Sequence, residues 1–357
     1  MDVGLTEDRA LLVRAPTALL LGGEGSLAPE LRRGTCQTLT VALNCHIQLL
    51  IRGTEEKQVR IITGTGHFAE EEKGAAEWQG TVEAIRAAVH YFGLEEGMCL
   101  EVMAEVPPHA GIGSQAAALI AAVKGLALWS GLNLNPPEVA SIAVEVARPL
   151  GEAGLLTAYL YASAFGGIHR LRRRLGSKGR PAQVEMEAVG GLPPATLERM
   201  GLLFLPPQEA QRHAPLTPLW VNPETAESRR RRNESRIPEI EAAWQAGEAP
   251  RLARLLDATS GLEETAFVDP PVFGRAYRLA KREGAWGGFL AQDGAGSSLL
   301  VLAAQERHPA IRAQLGELGL RARPLRLERR RFAAFAVEPW QKRRIIRRGV
   351  ASITRYG

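Results

Sequence analysis

The chain has 357 residues, 45% of them hydrophobic, with 44 Lys and Arg against 39 Asp and Glu and a formal charge of +5. That size and composition allow a substantial buried core, most simply in two lobes. No run approaches about eighteen uninterrupted apolar residues, which argues against a membrane-spanning helix.

In chain order, strand-like runs cover 11–21, 39–52 and 59–63, a helical pattern covers 76–92, and a further strand covers 99–106. A proline- and glycine-rich turn follows, and then apolar residues at helical spacing over 115–130, among them Ala118, Leu119, Ala122 and Leu126. Asn133-Leu134-Asn135-Pro136-Pro137 separates this helix from the next, 137–146, with proline near its start. The segment 176–181 reads as a polar loop between strand-like runs, and 206–223, where proline recurs, as an extended crossover into a second lobe. Helical patterns return at 236–246, 250–260 and 272–283, and a strand-helix-strand unit spans 287–327. The order is mixed α/β, with lobes expected at 1–205 and 206–340 and a basic tail at 341–357.

Met1 to Arg14 lacks a charged start followed by a long apolar core, so no signal peptide is expected. Cys36, Cys45 and Cys99 form neither a CxxC pair nor a metal spacing, and the simplest setting is a reduced cytoplasm. Seven histidines are scattered without an HExxH or comparable pair. Arginine clusters at 170–174, 229–232 and 329–331, with a mixed basic run at 342–348. Such clusters attract phosphates or solvate a surface. They lack the interleaved aromatics that stack single-stranded bases, so nucleic acid is not the expected partner.

The turn Pro107-Pro108-His109-Ala110-Gly111-Ile112-Gly113-Ser114 carries the chemistry. Glycines let a backbone approach a ligand closely, and the first N–H groups of a helix have no intrahelical partner, so a phosphate suits this place. The plainer reading is a tight strand-to-helix turn with Ser114 as N-cap.

The segment from Pro107 to Gln115 resembles the second motif of the GHMP kinase superfamily: proline, three variable residues, then Gly-Leu-Gly-Ser-Ser. Val13-Arg14-Ala15-Pro16-Thr17 and Gly22-Gly23-Glu24-Gly25 resemble that family's opening strand and substrate loop. Gly287 through Ser298, which includes Gly294-Ala295-Gly296, resembles its third, glycine-rich motif. Tyr161-Ala162-Ser163-Ala164-Phe165-Gly166-Gly167 and Leu192-Pro193-Pro194-Ala195-Thr196-Leu197-Glu198 are similar to segments of the heptose-phosphate kinase branch of sugar kinases. The resemblance implies an α/β (α+β) fold of two lobes, a ribosomal-protein-S5-like N-terminal lobe and a ferredoxin-like C-terminal lobe. It also implies ATP and magnesium as cofactors. Pro107 to Gln115 would hold the nucleotide phosphates, Ser114 would contact phosphate or magnesium, and Glu24 with Gly294, Ala295 and Gly296 would shape the substrate site.

The catalytic positions depart from the family. Counting back from Gly166-Gly167, the acidic residue these kinases carry falls on Tyr159, and the magnesium-binding Glu falls on Ala147, beside Arg148. The Arg and Asp that hold sugar hydroxyls fall on Ala18 and Leu27, and the second serine of the phosphate loop is Gln115. No aspartate occurs between Asp8 and Asp257. Glutamates remain, with Glu24, Glu145 and Glu152 nearest. Glu145 and Glu152 are candidates for the magnesium, solvation of a helix surface being their other reading. His109 is a further candidate, able to donate to a phosphate or merely to pack the turn.

A histidine at this place is also found in β-ribofuranosylaminobenzene 5′-phosphate synthase, a relative that transfers phosphoribosyl without the kinase's hydroxyl base. Three readings stay open: an ATP-dependent kinase of a small molecule, a sugar or sugar phosphate; a phosphoribosyl-transferring synthase; and a homologue that keeps the cleft for ligand or partner binding without catalysis. The expected partners are a small-molecule substrate and, for assembly, a second copy of the chain as a homodimer. No membrane partner is expected.

Overall fold

The computed structural model describes residues 10–23, 35–55, 58–65, 78–94, 97–107, 110–150, 157–174, 183–190, 200–205, 231, 233–260, 271–292 and 297–336. Two long strands organise the first part, β1 (Ala10–Gly23) and β2 (Thr35–Gly53), antiparallel along almost their whole length. Their register shifts between Pro16 and Ala18, where proline offers no N–H to the ladder, and again between Leu20 and Gly22.

β2 is long enough to hold two different partners on one edge. Its second half pairs antiparallel with β4 (Met98–Ala104), and its first half with β5 (Ile168–Arg174). β3 (Arg60–Thr65) lies parallel to β4, and β6 (Gln183–Ala188) pairs antiparallel with β5. With β11 (Ala333–Ala336) on the outer edge of β1, these make one seven-stranded sheet.

Four described helices belong to this part: α1 (Gln79–Tyr91), α2 (Ser114–Trp129), α3 (Pro136–Ala147) and α4 (Thr157–Phe165). α2 is buried on nearly every side, which is why its sequence is apolar and small all round rather than amphipathic. Gly125 lets it come close to the sheet: a Cβ there would stand 2.6 Å from Ile51 Cδ1. α3 begins with a capping box, in which Asn135 Oδ1 accepts from the Glu138 N–H and the Glu138 carboxylate accepts from the Asn135 N–H.

The second sheet has four antiparallel strands in the order β10 (Arg323–Leu325), β7 (Met200–Leu205), β9 (Ser297–Ala304), β8 (Gly287–Gln292). α5 (Ile237–Gln245), α6 (Ala249–Ser260) and α7 (Pro271–Arg282) intervene between β7 and β8, and α8 (His308–Glu317) between β9 and β10. Helical crossovers and this strand order, with the first strand between the last and the third, make the ferredoxin-like arrangement. One sheet face, through Phe289, Ala291, Leu300 and Leu302, joins the large core that also holds Val13, Leu39, Ile51 and the inner residues of α2. The other face, through Leu203, Leu299 and Val301, packs against Phe273, Ile311 and Leu315 in a second core.

Several sequence expectations need adjustment. Ser114 does not cap α2: it is the helix's first residue, and Gly113, in the left-handed conformation, takes the cap position. The 287–327 unit contains a hairpin, β8 and β9, where the sequence reads as a single strand, because the apolar pattern resumes directly after the glycine turn. α4 and β7 arise where the pattern predicts no regular element, both short and apolar without a decisive period. Sheet pairing groups 200–205 with the second sheet and 333–336 with the first. The expected loop at 176–181, the crossover at 206–223 and the tail at 341–357 lie outside the described residues.

Candidate active site

β4 ends at Ala104, and the chain runs through Glu105, Val106 and Pro107 into the glycine turn that opens α2. Gly111 (φ 69°) and Gly113 (φ 67°) both adopt the left-handed region, where an L side chain is strained. Ala110 and Ile112 beside them are fully buried. Gly113 has no side chain with which to cap the first N–H groups of α2, and Ser114, 3% exposed, stands at their head.

The turn is held from both parts of the molecule. The Ala18 N–H of β1 donates to Ile112 O at 3.0 Å. The Ser298 hydroxyl, at the start of β9, donates to Ala110 O. Two glycine-rich motifs 188 residues apart are thus brought into direct contact.

The residues standing at the expected catalytic positions are apolar or neutral. Ala18 and Ala147 are buried. Tyr159, on α4, is fully buried, and its ring lies against Gly113. Gln115, in place of a second serine, lays its side chain against Gly80 at the start of α1. Glu145 is exposed on α3 and accepts a hydrogen bond from the Tyr91 hydroxyl at 3.3 Å, so the structure does not join it to the buried turn. Pro108, His109, Glu24, Leu27, Glu152, Gly294, Ala295 and Gly296 lie outside the described residues.

Gly166-Gly167 has a different use. Residues 326–332 form a strap that leaves β10 and returns to the first sheet. Arg326 exchanges hydrogen bonds with Asn44, Glu328 N–H donates to Ala42 O at 2.9 Å, and Gly167 N–H donates to Glu328 O at 2.8 Å. A Cβ on Gly166 (φ 67°) would overlap the Arg330 carbonyl. Further along, the Phe332 ring faces Lys124 Nζ at 5.6 Å, while that buried amine donates to Asn133 Oδ1 and Leu134 O. The glycine pair is the seat of the strap.

An ionic cluster built round a buried histidine stands just before the glycine turn, and the scattered histidines of the sequence give no sign of it. His46, on β2, is 4% exposed. Its Nδ1 is 2.7 Å from Arg14 Nη2 and 3.3 Å from Glu105 Oε2, and its Nε2 is 3.3 Å from Glu328 Oε2. Glu105 also accepts from the His46 backbone N–H at 2.9 Å and from Gln48 Nε2 at 3.3 Å. Burial alone would push the imidazole pKa down, but its bonds to Glu105 and Glu328 outweigh burial and raise it. Burial would raise Glu105, and His46 overcomes this to hold it below its ordinary value. No local motif marks such a cluster, since it joins residues from β1, β2, the end of β4 and the strap.

The arginines of β5 are partly neutralised within the fold. Arg170 pairs with Glu187 of β6 at 2.6 Å and with Glu241 of α5 at 3.2 Å, and Arg172 stands opposite Glu185 in the strand register.

Among the described residues no group of three or more His, Cys, Asp or Glu is arranged to hold a metal ion. The turn's chemistry suits phosphate: a helix start with no side-chain cap and the Ser114 hydroxyl beside it. The described neighbours of the turn, Ala18, Tyr159 and Ser298, are uncharged.

Residues 79–167 match the family of GHMP kinases N terminal domain. No curated protein matches the chain. Solved structures are similar over nearly its whole length. A D-glycero-D-manno-heptose 1-phosphate kinase from Bacteriodes thetaiotaomicron is 18% identical, with 92% of this chain and 99% of that one covered and a TM-score of 0.68. Mevalonate kinase of L. major in complex with R-mevalonate is 14% identical, with 88% of this chain and 95% of that one covered and a TM-score of 0.66. Galactokinase of Lactococcus lactis complexed with galactose is 16% identical, with 92% and 95% covered and a TM-score of 0.62. Over about nine-tenths of its length the chain thus shares the fold of these kinases, with the family match lying over 79–167. Among the described residues no helix is long and apolar enough to cross a membrane.

Proposed function

We propose that this chain is an ATP-dependent kinase of a small hydroxylated molecule, a sugar or sugar phosphate. The observation that carries the reading is the Ala110–Ser114 turn, fixed by Ala18 from β1 and by Ser298 from β9 at the start of α2. Backbone N–H groups and the Ser114 hydroxyl would receive the nucleotide phosphates, and Pro107 to Gln115 would form the walls. The sugar class rests on the heptose-phosphate kinase and galactokinase whose fold it shares. Magnesium, when bound, neutralises phosphate charge as it builds during transfer.

Tyr159 supplies no carboxylate to take the acceptor's proton. This chain's own contribution would be to bind, orient and exclude water, and positioning with charge neutralisation dominates phosphoryl transfer. The same residue favours a second reading, a homologue that binds nucleotide in the cleft without turning it over. Thermal-shift titration with Mg-ATP, with Mg-phosphoribosyl pyrophosphate in parallel, tests binding. At about a hundred times Kd a ligand adds roughly 2.7 kcal/mol to stability. A shift with ATP and phosphorylation of one member of a sugar and sugar-phosphate panel supports the kinase. A shift without turnover favours the binding protein, and a shift only with phosphoribosyl pyrophosphate overturns both.

A further inference from the structure

We propose that His46 is a positioning residue for the phosphate loop, its proton deciding whether Glu105, at the loop's approach, is clasped to Glu328 on the returning strap. The clasp's effect on nucleotide rests on the phosphate-binding reading above. Its mechanical part does not.

One nitrogen holds the reason. His46 Nδ1 has two neighbours of opposite kind, the Arg14 guanidinium at 2.7 Å, a donor only, and the Glu105 carboxylate at 3.3 Å, an acceptor only. A single ring nitrogen serves one of them at a time. In the neutral ring Nδ1 accepts from Arg14, while Nε2–H donates to Glu328. In the imidazolium both nitrogens donate, Nδ1 to Glu105 and Nε2 to Glu328, and Arg14 turns to Glu105 Oε1, 3.8 Å away. Only the protonated ring therefore ties the two carboxylates together.

The two carboxylates belong to segments that matter. Glu105 lies two residues before Pro107, and its backbone N–H is bonded to His46 O at 3.1 Å, so it fixes the chain as it leaves β4 for the glycine turn. Glu328 is the strap residue whose N–H and C=O are both bound, to Ala42 and Gly167. The charged and titratable groups around the ring are Arg14 from β1, Cys45 from β2 itself, Glu105 after β4 and Glu328 from the strap, with Arg323 of β10 acting on Cys45. Burial opposes the proton on His46, and the two carboxylates outweigh it, so the exchange falls on the alkaline side of an ordinary histidine.

The test uses the full chain, wild type and His46→Gln, with Glu328→Gln as the second variant should the first fail to fold. Backbone hydrogen exchange over the loop and the first turn of α2, corrected for the intrinsic rate, is followed from about pH 6 to about pH 9. Mg-ATP affinity is titrated over the same range. Wild-type loop protection falls as pH rises, and Mg-ATP affinity weakens about fivefold or more, the reciprocal of the proton's coupling. In His46→Gln both stay at the high-pH level throughout. In Glu328→Gln strap protection is lost while the Glu105 side is kept. Loop protection that ignores both pH and His46→Gln overturns the clasp. Wild type that binds no ATP at any pH, with loop protection still following His46, overturns the phosphate reading and leaves the clasp standing.

Discussion

The Tyr159 ring rests on Gly113 so closely that a Cβ at Gly113 would stand 2.8 Å from Cδ1 and 2.9 Å from Cγ. The second glycine of the turn is needed twice, for its left-handed backbone and for the ring beside it. Gly113→Ala is expected to destabilise by about 1–2 kcal/mol for the left-handed conformation alone. The overlap with Tyr159 adds to that cost. Denaturant unfolding of the single variants and of the double variant with Tyr159→Ala checks this; costs that add without coupling would mean that the ring is not what the glycine accommodates.

Gly166 and Gly167 give a matched pair. Both have left-handed φ, 67° and 70°, so alanine strains both backbones alike. Their surroundings differ: among the described residues a Cβ at Gly167 meets nothing nearer than His169 Cε1 at 3.6 Å, whereas one at Gly166 overlaps the strap. Gly166→Ala should therefore lower Tm well beyond Gly167→Ala and raise hydrogen exchange in the strap and in β11. Equal Tm losses would show that the strap does not lean on Gly166.

The stability that the His46 cluster contributes should peak on the mildly acidic side of neutrality. His46 has its pKa raised from 6.5, so its contribution is full below that value and is lost as pH rises through the folded one. Glu105 and Glu328 have theirs lowered from 4.5, so their contribution is full above that value and is lost as pH falls through the folded ones. All three are complete between about 4.5 and 6.5. Urea unfolding as a function of pH checks this, and His46→Gln should remove the alkaline fall.

Cys45 should be a sluggish thiol. Burial, and then the Glu105 charge, push its pKa from 9.0 up to about 12. That difference leaves about a thousandfold less thiolate near pH 8 than an unshifted thiol would have. Iodoacetamide should label Cys45 in urea but spare it in the native protein, as read by peptide mass spectrometry. Rapid native labelling at Cys45 would mean that the site opens.

Elements are legible in the sequence where period and punctuation agree. β1, β2, α1, α2 and α3 fall within a few residues of their expected places, because long alternating runs, a helical apolar stripe and the Asn135-Pro136 start each carry a local signal. α4 and β7 are not legible, since an apolar stretch of nine or six residues suits either state. At the site, Gly111 and Gly113 are readable as backbone requirements. The contact of Ser298 with Ala110 and the meeting of His46 with Glu105 and Glu328 are not, for they depend on pairings made across the whole chain. Nor does the sequence tell that Glu145 lies on an exposed face of α3, accepting from the Tyr91 hydroxyl.

β11 closes the outer edge of β1, pairing Leu11 to Arg14 with Ala333 to Ala336. During synthesis that edge of the first sheet stays unpaired until nearly all the described chain has left the ribosome. A fragment ending after β6 would carry the turn and α2 yet expose a row of open backbone groups along β1, a template for pairing with another copy. The first lobe is early in sequence and late to be finished.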